Sequence, residues 1–212
     1  MSILIVDYGM ANLRSVQKAF EAVGHAAEIT ADPARAATTE RLVLPGVGAF
    51  RDGIAKLRES GLAEAVVQHI EKERPFLGIC LGLQMLFDES EEGPTQALGV
   101  VAGRVVRFRD ERMKTAGGAR LKIPHMGWSP VRQTRPHPLW SGIADESRFY
   151  FAHSYHPAPA DGELTAGTAD YPTPFTCAIA RANIFAVQFH PEKSHRAGLR
   201  LLANFATWDG RN

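Results

Sequence analysis

The stretch Pro75-Phe76-Leu77-Gly78-Ile79-Cys80-Leu81-Gly82-Leu83-Gln84 decides the fold class of this chain. It predicts a buried strand that ends in a tight turn and opens into a helix, with Cys80 at the turn. The flanking glycines let the backbone bend sharply and come close to a ligand. The G-x-C-x-G spacing is that of a nucleophile elbow, and a helix N-terminus beneath the sulfur favours the thiolate. The stretch therefore predicts a nucleophilic cysteine at the carboxyl end of a strand.

Strand and helix patterns alternate on the N-terminal side of this turn, which indicates a parallel sheet. Strands are predicted at residues 3–7, 27–30, 42–44 and 76–79, and helices follow Asn12 and Asp32, each interpreted as a cap, and cover 54–57 and 62–70. The second half is richer in β patterns, at 100–108, 148–152, 174–180 and 184–189, with an exposed loop at 110–118, an irregular segment at 122–129 and a helix after Ser194. The predicted fold is one α/β domain over residues 1–212: an open, mostly parallel twisted sheet flanked by helices, with an antiparallel β extension.

Composition is that of an ordinary globular protein. The 212 residues are 45% hydrophobic and 22% charged, with a net charge of +1, so no nucleic-acid or acidic-membrane partner is indicated. No apolar run approaches the roughly 20 residues of a membrane helix, and the N-terminus does not resemble a signal peptide. Only two cysteines are present, which favours a reducing compartment. We expect a cytoplasmic protein, with Cys177 a buried structural residue.

A histidine and a carboxylate stand far downstream, in Gln188-Phe189-His190-Pro191-Glu192-Lys193-Ser194. His190 would take the thiol proton from Cys80 and donate it to a leaving amine, while Glu192 would orient the imidazole. Backbone N–H groups after Cys80 and in the glycine loop 45–48 would stabilise an oxyanion. These segments all follow predicted strands, and parallel sheets bind ligands at the carboxyl ends of their strands. The constellation predicts acyl transfer through a thioester.

Simpler interpretations exist for the same residues. A cysteine after an apolar strand is most often a small buried hydrophobe, and a histidine is most often a surface or core residue. Metal binding by His153, His156, His190 and Glu192 is an alternative, although their spacings match no standard zinc pattern. We predict no metal and no cofactor.

Six motifs together resemble the class I, triad-type glutamine amidotransferases, and more narrowly the glutaminase subunits of imidazole glycerol phosphate synthases, nearly end to end. They lie at residues 7–13, 45–50, 78–84, 124–128, 151–156 and 188–194. Pro124-His125-Met126-Gly127-Trp128 is the most discriminating, since other amidotransferases of the class lack it. Ala11 departs from the pattern, which usually has glycine there.

The resemblance implies the hydrolysis of glutamine to glutamate and ammonia through a γ-glutamyl thioester on Cys80. It implies oxyanion N–H groups at Val47 and Leu81, and it implies substrate binding by Gly48, Gln84, Ser154 and Tyr155. The ammonia would pass to a (βα)8-barrel cyclase that makes imidazole glycerol phosphate and aminoimidazole carboxamide ribonucleotide in histidine biosynthesis. The residues implied near that partner in a heterodimer are Asn12, Met126, Trp128, Tyr150 and Lys193.

Three other functions remain as alternatives. One is an amidotransferase subunit of the same class that serves another pathway, such as anthranilate or pyridoxal phosphate synthesis. Another is a catalytically silent module that regulates a partner protein. The third is a cysteine peptidase or a related elbow hydrolase of similar fold.

Overall fold

The structure is a computed structural model that describes residues 2–109, 113–114, 118 and 120–211. Its strands are β1 (Ile3–Val6), β2 (Ala27–Thr30), β3 (Arg41–Gly46), β4 (Phe76–Cys80), β5 (Glu89–Ser90), β6 (Thr95–Gln96), β7 (Gly103–Arg107), β8 (His125–Pro130), β9 (Arg132–Gln133), β10 (Arg148–His153), β11 (Tyr155–Pro159), β12 (Thr165–Asp170), β13 (Pro174–Arg181) and β14 (Ile184–Val187). Its helices are α1 (Leu13–Ala22), α2 (Pro33–Thr38), α3 (Phe50–Glu59), α4 (Leu62–Glu71), α5 (Leu81–Gln84) and α6 (His195–Thr207).

The main sheet has eight strands in the order β2-β1-β3-β4-β14-β13-β12-β9. The strands from β2 to β14 are parallel, and β13, β12 and β9 continue the sheet in antiparallel pairs. Strand β4 lies between β3 and β14, so the residues that follow these three strands meet at one edge. The predicted mostly parallel sheet with an antiparallel extension is confirmed.

Alternate residues of the parallel strands feed two apolar clusters, one on each face of the sheet. Ile5, Val43 and Leu77 belong to the cluster under α1 and α6, while Leu4 and Leu44 belong to the cluster under α2–α5. Both faces are covered by helices, which explains why β1, β3, β4 and β14 are buried at every position. The functional residues follow the carboxyl ends of these buried strands.

Two smaller sheets lie beside the main one. Strands β8 and β10 form an antiparallel pair in which Trp128 lies opposite Tyr150 and His125 lies opposite His153. Strands β11, β7, β5 and β6 form the other sheet. Within the described part of the chain, no helix is both long and apolar enough to span a membrane.

Two details differ from the sequence predictions. Residues 122–129 are not irregular throughout, because β8 begins at His125 and pairs with β10. Asn12 occupies the N-cap position of α1, but its side chain makes no capping hydrogen bond, whereas Asp32 caps α2 as predicted. The helix predicted after Cys80 is present as a single turn of four residues. The predicted loop at 110–118 lies largely outside the described residues.

Candidate active site

Cys80 ends β4 in a sharp turn. Its φ of +54° is left-handed, a conformation that costs a residue with a Cβ atom roughly 1–3 kcal/mol. The turn needs Gly82, because a Cβ there would overlap the carbonyl of Leu44 on the neighbouring strand. A Cβ on Gly78 would lie 3.0 Å from the Cβ of Ala186 and from the carbonyl oxygen of Gly82. The glycines therefore bring the turn close to both neighbouring strands and hold Cys80 at the sheet edge.

His190 and Glu192 form a buried pair just after β14, the strand next to β4. The Nδ1 atom of His190 lies 2.9 Å from Oε1 of Glu192, and the two side chains are 3% and 2% exposed. His190 and Cys80 line the same cleft, and Cys80 is one of the groups that raise the pKa of His190. The three side chains predicted to form a triad thus lie near one another, and the bond from Nδ1 to Glu192 leaves Nε2 as the nitrogen of His190 available to Cys80.

Electrostatics at these three residues favour a protonated His190. Burial by itself lowers the pKa of His190, but the neighbouring Cys80 and the hydrogen-bonded Glu192 carboxylate together raise it to about 10. A protonated imidazole stabilises a thiolate beside it and carries the proton that a leaving amine needs. The arrangement can therefore perform nucleophilic attack followed by proton donation.

A cleft of about 290 Å³ opens above the sulfur of Cys80. Eight residues predicted for catalysis, the oxyanion or the substrate line it together: Val47, Gly48, Cys80, Leu81, Gln84, Ser154, Tyr155 and His190. Glu192 lies behind His190, which separates it from the cleft. The cleft would hold a substrate the size of a small amino acid with its reactive carbon at the sulfur.

The glycine loop after β3 places Val47 at the mouth of the cleft. The N–H of Val47 donates a hydrogen bond of 3.0 Å to the carbonyl of Met10, so it points away from the cleft. Gly48 has a φ of +97°, which suits glycine and permits this arrangement. Gly46 lies against the buried hydroxyl of Tyr8, which has no hydrogen-bond partner among the described residues. The N–H of Val47, one of the two predicted oxyanion donors, is therefore already hydrogen-bonded to Met10 in this conformation.

Gln188 is part of the site, although the sequence analysis assigns it no role. It is fully buried, and its Nε2 lies 3.6 Å from the sulfur of Cys80. Its Oε1 accepts a hydrogen bond of 2.9 Å from Nε2 of Gln84. The spacing could have predicted this position, because residues two apart in an extended segment face the same side and Gln188 stands two residues before His190.

The sequence also did not predict a role for Glu92, because this residue lies in an irregular segment with no recognisable pattern. It lines the same cleft as Cys80 and His190. Burial raises the pKa of Glu92, the N–H of Phe50 opposes that rise, and the charge of Asp52 adds to it. A half-buried carboxylate in a small cleft is suited to a cationic group of a ligand.

The residues predicted for a partner interface are only partly brought together. Among the described residues, the large exposed apolar side chains are Met126 at 64%, Trp128 at 38% and Val47 at 37%. Met126 and Lys193 line the cleft, and the ammonium of Lys193 lies 5.9 Å from the ring centre of Tyr150. Trp128 packs edge-on against Tyr150. Asn12 is exposed at the start of α1 and does not line the cleft.

The described residues contain no group of three or more His, Cys, Asp or Glu side chains that could hold a metal ion. His153, weighed above as a ligand, has both ring nitrogens in hydrogen bonds with protein atoms. Cys177 is fully buried in β13, where burial raises the pKa of its thiol and keeps it unreactive.

Comparison with known proteins gives matches over nearly the whole chain. Residues 4–207 match the family model of the class I glutamine amidotransferases. The chain is 57% identical, over 97% of its length and 98% of that protein, to the imidazole glycerol phosphate synthase subunit HisH of Aromatoleum aromaticum. It is 58% identical to the subunit of the same name from Dechloromonas aromatica, over 98% of this chain and 96% of that protein.

Solved structures share the fold at much lower identity. The structure of PurLQS from Thermotoga maritima matches with a TM-score of 0.73 at 17% identity, over 96% of each chain. The glutaminase domain of Trypanosoma brucei CTPS, solved with bound acivicin, gives a TM-score of 0.64 at 16% identity, over 99% of this chain and 95% of that one. At such identities the likeness concerns the fold alone.

Proposed function

We propose a function for this chain, which belongs to the class I glutamine amidotransferase family and, within it, to the imidazole glycerol phosphate synthase subunits named HisH. The chain is the glutaminase subunit of that enzyme in histidine biosynthesis. It hydrolyses L-glutamine to glutamate and ammonia. The observation that carries the proposal is the buried bond of 2.9 Å between His190 and Glu192, with His190 and Cys80 lining one small cleft.

These three side chains supply the groups that the proposed reaction needs. The thiolate of Cys80 attacks the carboxamide carbon of glutamine, and the imidazolium of His190 gives its proton to the nitrogen as the C–N bond breaks. Ammonia leaves, and a γ-glutamyl thioester remains on the sulfur. Water then attacks the thioester while His190 takes its proton, the C–S bond breaks, and glutamate leaves. Glu192 orients the imidazole and stabilises its charged form in both steps.

The oxyanion that forms in each step requires N–H donors. Leu81 and Val47 would provide them, and one such donor is worth roughly 3–4 kcal/mol of barrier. The N–H of Val47 is bonded to Met10, so the peptide before Val47 must turn over before it can serve. A resting enzyme with one donor withdrawn is expected to be slow, and a partner that turns this peptide would activate it.

The substrate's amino-acid end would be held on the far side of the cleft. Gly48, Ser154 and Tyr155 offer backbone groups there, and Gln84 offers a fixed amide. Glu92 adds the one carboxylate among the residues lining this cleft, and we assign it to the α-ammonium group of glutamine. This assignment explains a preference for a free amino acid over a peptide bond inside a chain.

Replacing Glu92 with glutamine is expected to raise the KM for glutamine about 10- to 100-fold, because a charge-assisted hydrogen bond is lost. The ammonium is remote from the reacting carbon, so kcat is expected to change little. Steady-state glutamate release measures both constants. Glu89→Gln is the matched control, since Glu89 is exposed and lies outside the cleft. A Glu92→Gln enzyme with unchanged KM would remove Glu92 from substrate binding.

The proposed partner is a (βα)8-barrel cyclase, which forms a heterodimer with this subunit in the cytoplasm. Met126 and Trp128 are exposed on β8 beside the cleft, and aromatic and methionine side chains are enriched at interfaces. Tyr150 and Lys193 adjoin them, and Asn12 is proposed to lie at the edge of the same surface. Ammonia released at Cys80 would pass directly into the barrel.

The first test is glutamate release by the purified chain, alone and with the cyclase and its nucleotide ligand. We expect slow release alone and release at least about tenfold faster in the complex, since one restored oxyanion donor is worth two to three orders of magnitude in rate. Fast release that the barrel does not alter would favour an amidotransferase of another pathway. No release by folded protein in any condition would favour a silent regulatory module, and release from peptides or esters but not from free glutamine would favour an elbow hydrolase.

A further inference from the structure

Two buried histidines outside the triad connect β8 to the substrate cleft. His125 lies on β8 beside the exposed Met126, and His153 ends the neighbouring strand β10. They are 2% and 6% exposed. The Nδ1 atom of His125 lies 3.0 Å from Nε2 of His153, and Nδ1 of His153 lies 2.8 Å from the carbonyl oxygen of Tyr155. The reaction proposed above uses neither residue.

The hydrogen atoms in this chain of bonds have one consistent arrangement when both rings are neutral. The carbonyl of Tyr155 can only accept, so Nδ1 of His153 must donate to it. The Nε2 atom of His153 then accepts from Nδ1 of His125. The remaining Nε2 of His125 accepts from the hydroxyl of Ser129, 2.9 Å away. The carbonyl of Tyr155 and the bond from Nδ1 of His125 therefore both favour the Nδ1–H tautomer of His153.

The surroundings support neutral rings in fixed planes. Burial lowers the pKa of His125 to about 4 and lowers that of His153 well below its usual range. The ring of His125 is stacked between Phe151 at 4.8 Å and Tyr171 at 4.0 Å, with interplanar angles of 21° and 19°. Rotation of His125 would break both stacks.

The chain of bonds continues to the cleft through the carbonyl of Tyr155. That carbonyl also accepts a bond of 3.1 Å from Nε2 of Gln84, whose second hydrogen goes to Gln188 at 2.9 Å. The two donated bonds use the whole NH₂ group of Gln84, so its Oε1 atom is left as the acceptor. Gln188 in turn contacts the sulfur of Cys80.

We propose that His125 and His153 are positioning residues for glutamine, which hold the Tyr155 carbonyl and through it the Gln84 amide in the orientation that the substrate requires. The inference rests on the glutaminase function proposed above. It also places the control of that amide on β8, the strand that presents Met126 and Trp128 at the surface. His125 does not line the cleft and His153 lines its wall, and the reaction proposed above assigns no step to either, so the expected loss is in substrate binding.

The test compares two substitutions of His125 in the complex with the cyclase. His125→Phe keeps an aromatic ring in the stack but removes the donor to His153, and we expect the KM for glutamine to rise about tenfold with kcat nearly unchanged. His125→Asn places an amide nitrogen where Nδ1 was, and its KM is expected to stay within about threefold of the parent value. His137→Phe is the matched control, because His137 is also buried and ring-packed, against Phe185 and Trp208, and lies outside the cleft.

Nitrogen-15 NMR of the histidine rings gives a readout that a purely structural role would not alter. We expect His153 as the Nδ1–H tautomer in the parent protein and in His125→Asn, and a mixture of tautomers in His125→Phe. An unchanged KM in folded His125→Phe, or equal losses in both His125 variants, would overturn the proposal. An Nε2–H tautomer of His153 in the parent protein would overturn it as well. If the parent complex released no glutamate, both the glutaminase function and the positioning role would be rejected. The NMR spectra would still show whether the hydrogen bonds of His125 and His153 exist.

Discussion

Glutamate release from glutamine is expected to fall at least about 10⁴-fold when Cys80 is replaced with alanine, because the covalent route is lost with the sulfur. Alanine has a Cβ like cysteine, so it meets the same left-handed φ of +54° and leaves the turn unchanged. Synthesis of imidazole glycerol phosphate from added ammonia by the complex is expected to continue at the parent rate. The two assays on one preparation separate loss of chemistry from loss of assembly.

Cys177→Ala is the matched control for this experiment. Cys177 is the second cysteine of the chain and is fully buried in β13. We expect parent-like glutamate release from this variant, with some loss of stability from the small cavity it leaves. Glutamine-dependent product formation that survives Cys80→Ala would show that the protein is a regulatory module and that the nitrogen is released by another route.

Replacing Glu192 with glutamine is expected to lower kcat about 10³-fold, since the imidazole loses the group that fixes its tautomer and stabilises its charge. The substitution is also expected to change the pH dependence. Cys80 and Glu192 raise the pKa of His190 to about 10, so the parent enzyme should keep its proton donor up to that pH. Without the carboxylate the pKa falls, and activity should decline at a lower pH. The profile of kcat from pH 6 to pH 10 measures the shift.

Glu163→Gln is the control for the charge change, because Glu163 is exposed. Its profile should overlay that of the parent enzyme. If the alkaline limb of the Glu192→Gln profile stayed where it is in the parent enzyme, the raised pKa of His190 would not depend on the carboxylate 2.9 Å from it. The role assigned to Glu192 would then be limited to orienting the ring.

Much of the fold could be predicted because its signals are local. The apolar runs of β1, β3 and β4 are continuous, which is the pattern of parallel strands covered on both faces. Asp32 before Pro33 also predicted the start of α2, because the hydrogen bonds of the cap lie within one turn. Strand β8 could not be predicted in this way, because Met126 and Trp128 face outward and Gly127 interrupts the pattern. Its existence depends on pairing with β10, which lies about 20 residues further along the chain.

The sequence by itself determined the elbow around Cys80, the candidate nucleophile and its two proposed partners, because each depends on residue type and short spacing. Only the tertiary structure decided that Gln188 reaches the sulfur, that Glu92 enters the cleft and that Met10 holds the N–H of Val47. It also decided the pairing of His125 with His153. These contacts join segments distant in the chain, and their partners are set by where the sheet edge and the β8–β10 pair bring the backbone together. Short-range sequence patterns do not predict which distant segments come into contact.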